Sequence, residues 1–160
     1  VLAFRKRQRK RRHRSEWWTP QSIRTRLHAE HDLTLDAAAC AESTLAYEWL
    51  GPTHPDATRR DALAFPHWAD LAAGGVVYLN APYTPAPFLG SFLRVAATTR
   101  DAGTTVVALL PASVGTHWWH EGVIDAGAEV EFLRGRVTYG GPHSTGSPAP
   151  WPSALVTYRS

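Results

Sequence analysis

Two short runs, Val76-Val77-Tyr78-Leu79 and Thr104-Thr105-Val106-Val107-Ala108-Leu109-Leu110, limit what this chain can become. They are rich in β-branched and aliphatic residues and do not alternate with polar ones. A strand with one wet face would alternate; a continuous apolar run of this length belongs to a strand covered on both faces, the situation of parallel sheets packed between helices. Gly74-Gly75 leads into the first run and Asn80 ends it, while the second stops at Pro111-Ala112-Ser113. The expected fold is therefore α/β. Leu33–Asp36, Glu129–Leu133 and Ala154–Tyr158 read as further strands, and Gln21–His31, Phe88–Arg100 and Gly115–Ala126 as helices. Thr19 is placed to cap the first helix with Pro20 in its first turn. Ala41–Leu50 suits either a helix or an irregular arm, and 141–153 is a Gly-, Pro- and Ser-rich loop.

A length of 160 residues with 44% hydrophobic content suits one core. No apolar run approaches the roughly 20 residues that cross a bilayer, and the charged start has no apolar segment behind it, so a soluble, cytoplasmic protein is expected. Cys40 is the single cysteine, which excludes an internal disulfide and reads best as a buried thiol. Charge divides the chain. Eight of the 17 Lys and Arg residues lie between Arg5 and Arg14, whereas the remainder holds nine basic against 14 acidic residues. Residues 1–14 thus form a basic tail on a domain spanning 15–160. The tail, with Arg9, Arg11 and Arg12, reads as a phosphate-binding arm for nucleic acid; a solvated leader, a localisation signal or sequence from upstream of the native start are its alternatives. His117 and His120 are three apart but lack a Cys or an acidic partner motif, so they are taken as surface or interface residues and no metal is expected.

Chemistry enters where the first run ends, at Asn80-Ala81-Pro82-Tyr83. The carboxyl end of a strand is where open α/β sheets bind ligands. The tetrapeptide resembles the Asn/Asp-Pro-Pro-Tyr motif of amino-group methyltransferases, with Ala81 in place of the first proline. The chemistry of that motif starts with the substrate: an exocyclic amine of a nucleobase has its lone pair delocalised into the ring, so it needs well-placed acceptors more than a strong base. The Asn80 side-chain oxygen and the Ala81 carbonyl are two such acceptors, able to aim the amine at a methyl donor. Pro82 restricts the turn and disposes Ala81 to extended geometry. Tyr83 offers a face on which a flipped base can stack.

Six further segments appear in the order found in phage-type DNA N6-adenine methyltransferases: Glu16-Trp17-Trp18-Thr19-Pro20, Leu35-Asp36-Ala37-Ala38, Asp61-Ala62-Leu63, Leu110-Pro111-Ala112, Phe132-Leu133-Arg134-Gly135-Arg136 and Pro150-Trp151-Pro152-Ser153. The resemblance implies a compact Rossmann-like, class I methyltransferase fold and transfer of a methyl group from S-adenosylmethionine to the N6 of a flipped adenine in DNA. It implies that Trp17, Thr19, Pro20, Asp36, Ala38 and the adenine-binding Asp61 contact S-adenosylmethionine. Asn80, Ala81, Pro82 and Tyr83 would form the catalytic loop, and Arg134 and Arg136 would join the tail on DNA phosphates. There is no Gly-x-Gly-x-x-Gly fingerprint, and Ala62 stands where the family carries glycine. The same amide chemistry also suits an RNA base or a protein glutamine, and a non-catalytic DNA-binding relic of the fold is a third alternative.

Overall fold

The computed structural model describes residues 17–65 and 67–160, so Arg9, Arg11 and Arg12 lie outside the described residues. The chain forms α1 (Gln21–Glu30), β1 (Leu33–Asp36), β2 (Glu48–Trp49), α2 (Trp68–Ala72), β3 (Val76–Leu79), α3 (Ala86–Asp101), β4 (Val106–Pro111), α4 (His117–Trp119), β5 (Glu129–Phe132) and β6 (Ser153–Tyr158). The six strands make one sheet in the order β2-β1-β3-β4-β6-β5. β2, β1, β3 and β4 pair in parallel, while β6 pairs antiparallel with both β4 and β5. Only β6 is therefore reversed, and the sheet is mostly, not wholly, parallel.

Burial follows the pleat, since successive side chains point to opposite faces. On one face Val77 and Leu79, Val106, Ala108 and Leu110, and Ala154, Val156 and Tyr158 pack with Leu89, Phe92, Leu93 and Ala96 of α3, Trp68 of α2 and Trp119 of α4. On the other, Tyr78, Val107, Leu109 and Leu155 pack with Leu27 of α1 and with Val137, Tyr139 and Ala149 of the long loop before β6. Among the described residues that second layer has one helix, α1. Irregular chain from both ends of the sequence completes it, and this brings distant segments to the carboxyl edge of β3.

Two expectations change in detail and one open alternative is decided. Residues 41–50 take the irregular course; turns carry the chain to the two-residue β2, after which Leu50 N–H bonds the Asp36 carbonyl at 2.9 Å. Gly51 follows because a Cβ there would lie 1.8 Å from the Ala39 carbonyl oxygen. The helix expected over 115–126 is one α turn continued as a wider π turn over His120–Ile124. Gly122 sits in that turn against Leu93, which a Cβ would meet at 2.7 Å, and its carbonyl accepts the Tyr158 hydroxyl at 2.5 Å. Finally, Thr19 does not cap α1: Pro20 is itself the N-cap residue, with no side-chain cap. The Thr19 hydroxyl is held inside by Tyr78 instead, because a buried phenol needs a partner.

Candidate active site

From β1 the chain moves outward to β2 and then returns past β1 to place β3 on its other side. β1 and β3 therefore diverge at a topological switch point, the crevice where open α/β sheets take their ligands. The strands stay joined at its floor, where Ala37 N–H donates to the Tyr78 carbonyl at 2.9 Å.

Asn80 stands at the β3 side of this crevice with its amide fully oriented. Its Nδ2 donates to the Trp17 carbonyl at 2.8 Å and, over 3.4 Å, to Thr19 Oγ1. Its Oδ1 accepts the Tyr83 hydroxyl at 2.8 Å. Turning the amide over would set its oxygen against the Trp17 carbonyl and its NH2 against the Tyr83 proton, so these partners select one orientation. Thr19 Oγ1 in turn shares a 2.6 Å hydrogen bond with the Tyr78 hydroxyl. The amino-terminal segment is secured from its other side by a pair of backbone bonds, Trp18 N–H to Gly140 O at 3.1 Å and Gly140 N–H to Trp18 O at 2.9 Å.

Ala81 is 3% exposed and belongs to the core beneath the loop. Among the described residues nothing donates to its carbonyl. Tyr83 is half-buried, with its ring edge-on to Tyr139 at 6.3 Å and to Trp151 at 6.0 Å. Its hydroxyl lies within hydrogen-bond distance of three groups: Asn80 Oδ1, the Leu109 carbonyl at 3.2 Å and the Tyr139 hydroxyl at 2.9 Å. Burial pushes the Tyr83 and Tyr78 hydroxyls well above the ordinary tyrosine range and raises Tyr139 as well, so all three stay protonated at neutral pH.

On the β1 side Asp36 is turned inward, 2% exposed. Its Oδ1 accepts Ala38 N–H at 3.3 Å and its Oδ2 accepts Leu45 N–H at 3.0 Å. Desolvation pushes its carboxyl up to about 6, although the two amides and the Arg24 charge pull the other way. Asp36 thereby shapes the small-residue loop, of which Ala38 is half-buried. Asp61 is exposed and caps a turn, its Oδ1 accepting from Leu63 N–H at 3.0 Å and Ala64 N–H at 3.3 Å. Arg134 and Arg136 flank Gly135, whose φ of 75° turns the chain after β5. Both arginines are exposed and make no ion pair with a described residue, while the nearby acids are engaged: Glu129 by Arg159 and Glu131 by Arg26.

Sequence reasoning missed Tyr78 and Tyr139 as parts of this arrangement, and gave Ser153 only as the end of the Pro150–Ser153 segment. Tyr78 carried a signal, a polar tip inside an apolar strand; Tyr139 carried none, because the loop that brings it in is irregular.

A family model described as DNA N-6-adenine-methyltransferase (Dam) matches residues 6–149. The chain belongs to that family. Of the seven family-like segments, the Dam match takes in all but Pro150-Trp151-Pro152-Ser153, which lies just beyond it. Neither the curated proteins nor the solved structures contain a match to the chain. The sheet agrees with the family, being a methyltransferase-like arrangement with helices on both faces. Among the described residues no group of three or more His, Cys, Asp or Glu side chains is placed to hold a metal ion, and no helix is long and apolar enough to cross a membrane.

Proposed function

We propose that the chain transfers a methyl group from S-adenosylmethionine to the N6 amine of a flipped adenine in DNA. The observation that carries this reading is the Asn80 amide, locked at the switch point with its oxygen directed away from the Trp17 carbonyl and only one of that oxygen's two lone pairs engaged. A second lone pair on Oδ1 and the Ala81 carbonyl are the acceptors an adenine amine requires.

The crevice chemistry fits S-adenosylmethionine, whose ammonium, ribose hydroxyls and adenine amine are all hydrogen-bond donors. The β1 side offers acceptors and little bulk in the Asp36 carboxylate and the Ala37 to Ala39 turn, and exposed Asp61 has an Oδ2 that takes no bond from a described residue. Together with Trp17, Thr19 and Pro20, these residues would hold the cofactor, which supplies an electrophilic methyl group on sulfur. The chain's own work is positional. Asn80 Oδ1 and the Ala81 carbonyl would each accept one N–H of the amine and direct its lone pair at the methyl carbon; as the N–C bond forms the S–C bond breaks, the thioether leaves with the electron pair, and the methylated nitrogen passes one proton to water. The Tyr83 ring bounds the base. Arg134 and Arg136, with the basic tail, meet phosphates.

The test is transfer of tritiated methyl from S-adenosylmethionine to unmethylated DNA, RNA and protein acceptors by the wild type and by Asn80→Ala. Label recovered as N6-methyladenine in DNA and absent with the variant is the expected result. Label in RNA or on glutamine moves the reading to those acceptors, and DNA binding without transfer identifies the relic.

A further inference from the structure

We propose that Tyr139 is a positioning residue for this site, acting through the Tyr83 hydroxyl to hold the Asn80 carbonyl. The proposal rests on the methyl-transfer reading only for what the carbonyl then receives.

Proton counting carries it. The Tyr83 oxygen has three neighbours and one proton. Two of the neighbours, Asn80 Oδ1 and the Leu109 carbonyl, only accept. If Tyr83 donates to either, its 2.9 Å contact with Tyr139 survives only with Tyr139 as donor. Both phenols are kept protonated by burial, so that donor is available at neutral pH. The chain of donation therefore runs Tyr139 to Tyr83 to Asn80, with the buried Ser153 hydroxyl at a longer 3.5 Å behind Tyr139. A hydroxyl that accepts a hydrogen bond donates more strongly, so Tyr139 strengthens the bond that restrains Asn80 Oδ1.

The geometry also gives the site an adjustment. The Leu109 carbonyl, at 3.2 Å, is a second resting place for the Tyr83 proton. The amine N–H takes the second Oδ1 lone pair, and rotation about the Tyr83 C–O bond is able to send the proton to Leu109 without moving the ring. Tyr139 remains bonded to the Tyr83 oxygen through that rotation and keeps the ring where the base must stack. The Tyr139 ring is itself fixed edge-on by Trp17 at 6.3 Å, which links its placement to the amino-terminal segment that holds the other end of the Asn80 amide.

Two readouts test this on the full chain, one of them independent of turnover. The side-chain 15N–1H signals of Asn80 and single-turnover methyl transfer are measured in Tyr139→Phe, Tyr83→Phe, the double variant, and Tyr47→Phe as a control at a residue 93% exposed. Tyr139→Phe should shift the Asn80 signals and slow transfer by about 3- to 10-fold, the usual scale for one hydrogen bond in a network, with KM for S-adenosylmethionine unchanged. The double variant should be no slower than Tyr83→Phe, because Tyr139 has nothing to act through once the Tyr83 oxygen is gone. Asn80 signals unmoved in Tyr139→Phe, or losses that multiply in the double variant, overturn the proposal. If the folded wild type transfers no methyl group, the adenine reading fails and the Asn80 signals still decide the positioning. Should Tyr139→Phe not fold, Ser153→Ala probes the same chain from its far end, and unmoved Asn80 signals there count against it equally.

Discussion

Replacing Asp36 by Asn should change how the protein responds to acid. In the folded chain the Asp36 carboxyl is pushed from 3.8 up to about 6, chiefly because burial penalises its charge. A raised carboxyl binds its proton more tightly in the folded than in the unfolded state. Between about 6 and 3.8 the folded state holds a proton that the unfolded state has lost, so this group adds stability as pH falls through that window and withdraws it as pH rises. The full difference is about 3 kcal/mol, of which about 2 kcal/mol is realised between pH 7.5 and pH 4. Asp36→Asn cannot titrate. It also turns an NH2 towards either Ala38 N–H or Leu45 N–H, at a cost of about 1–3 kcal/mol, but that cost does not vary with pH. The comparison of wild type with variant at two pH values therefore isolates the charge and cancels other acids, such as Glu129 and Glu131, whose lowered carboxyls act in the opposite direction. Urea unfolding of both proteins at pH 7.5 and pH 4 is the assay. Wild type should gain about 2 kcal/mol on the variant at the lower pH. A constant difference would refute the reasoning, meaning that the two loop amides compensate the buried charge fully.

Two further outcomes follow from the loop and the arginines. Ala81 N–H donates to no described residue, so Ala81→Pro removes no hydrogen bond and should raise stability by about 0.4–1 kcal/mol while leaving turnover equal or better. A lowered melting temperature or a severe loss of turnover would show that the packed core around Ala81 has no space for the ring. Arg134→Ala and Arg136→Ala should each weaken DNA binding evenly across sequences and flatten the plot of log affinity against log salt by about 0.9. An unchanged salt slope removes that arginine from the phosphate contacts.

Much of the architecture follows from residues read locally. Val76–Leu79 and Val106–Leu110 are apolar without alternation and lie at the centre of the sheet as parallel strands, since only burial on both faces tolerates such sequences. Asn80 at the end of the first run marks the carboxyl edge of the sheet. What no local pattern contains is who meets Asn80 there. Among the described residues the second face of the sheet carries one helix, irregular segments cover the rest, and their paths depend on long-range packing instead of periodicity. That is why Thr19, placed by its sequence to cap α1, bonds Tyr78 and reaches Asn80. It is also why Asp36, an exposed-looking acid at a strand end, is buried by the arm over 41–50 that the sequence left undecided. Tyr139 is the extreme case. Fifty-six residues from Tyr83, in a loop without repeat or alternation, it is brought to within 2.9 Å of that hydroxyl only by the Trp18 to Gly140 backbone pair and the core beneath it. Sequence alone determined which strands are buried and where their reactive ends fall, because those depend on neighbours along the chain. Tertiary structure decided which hydrogen bonds those ends make, because a buried polar group must take its partner from whatever segment the packing delivers.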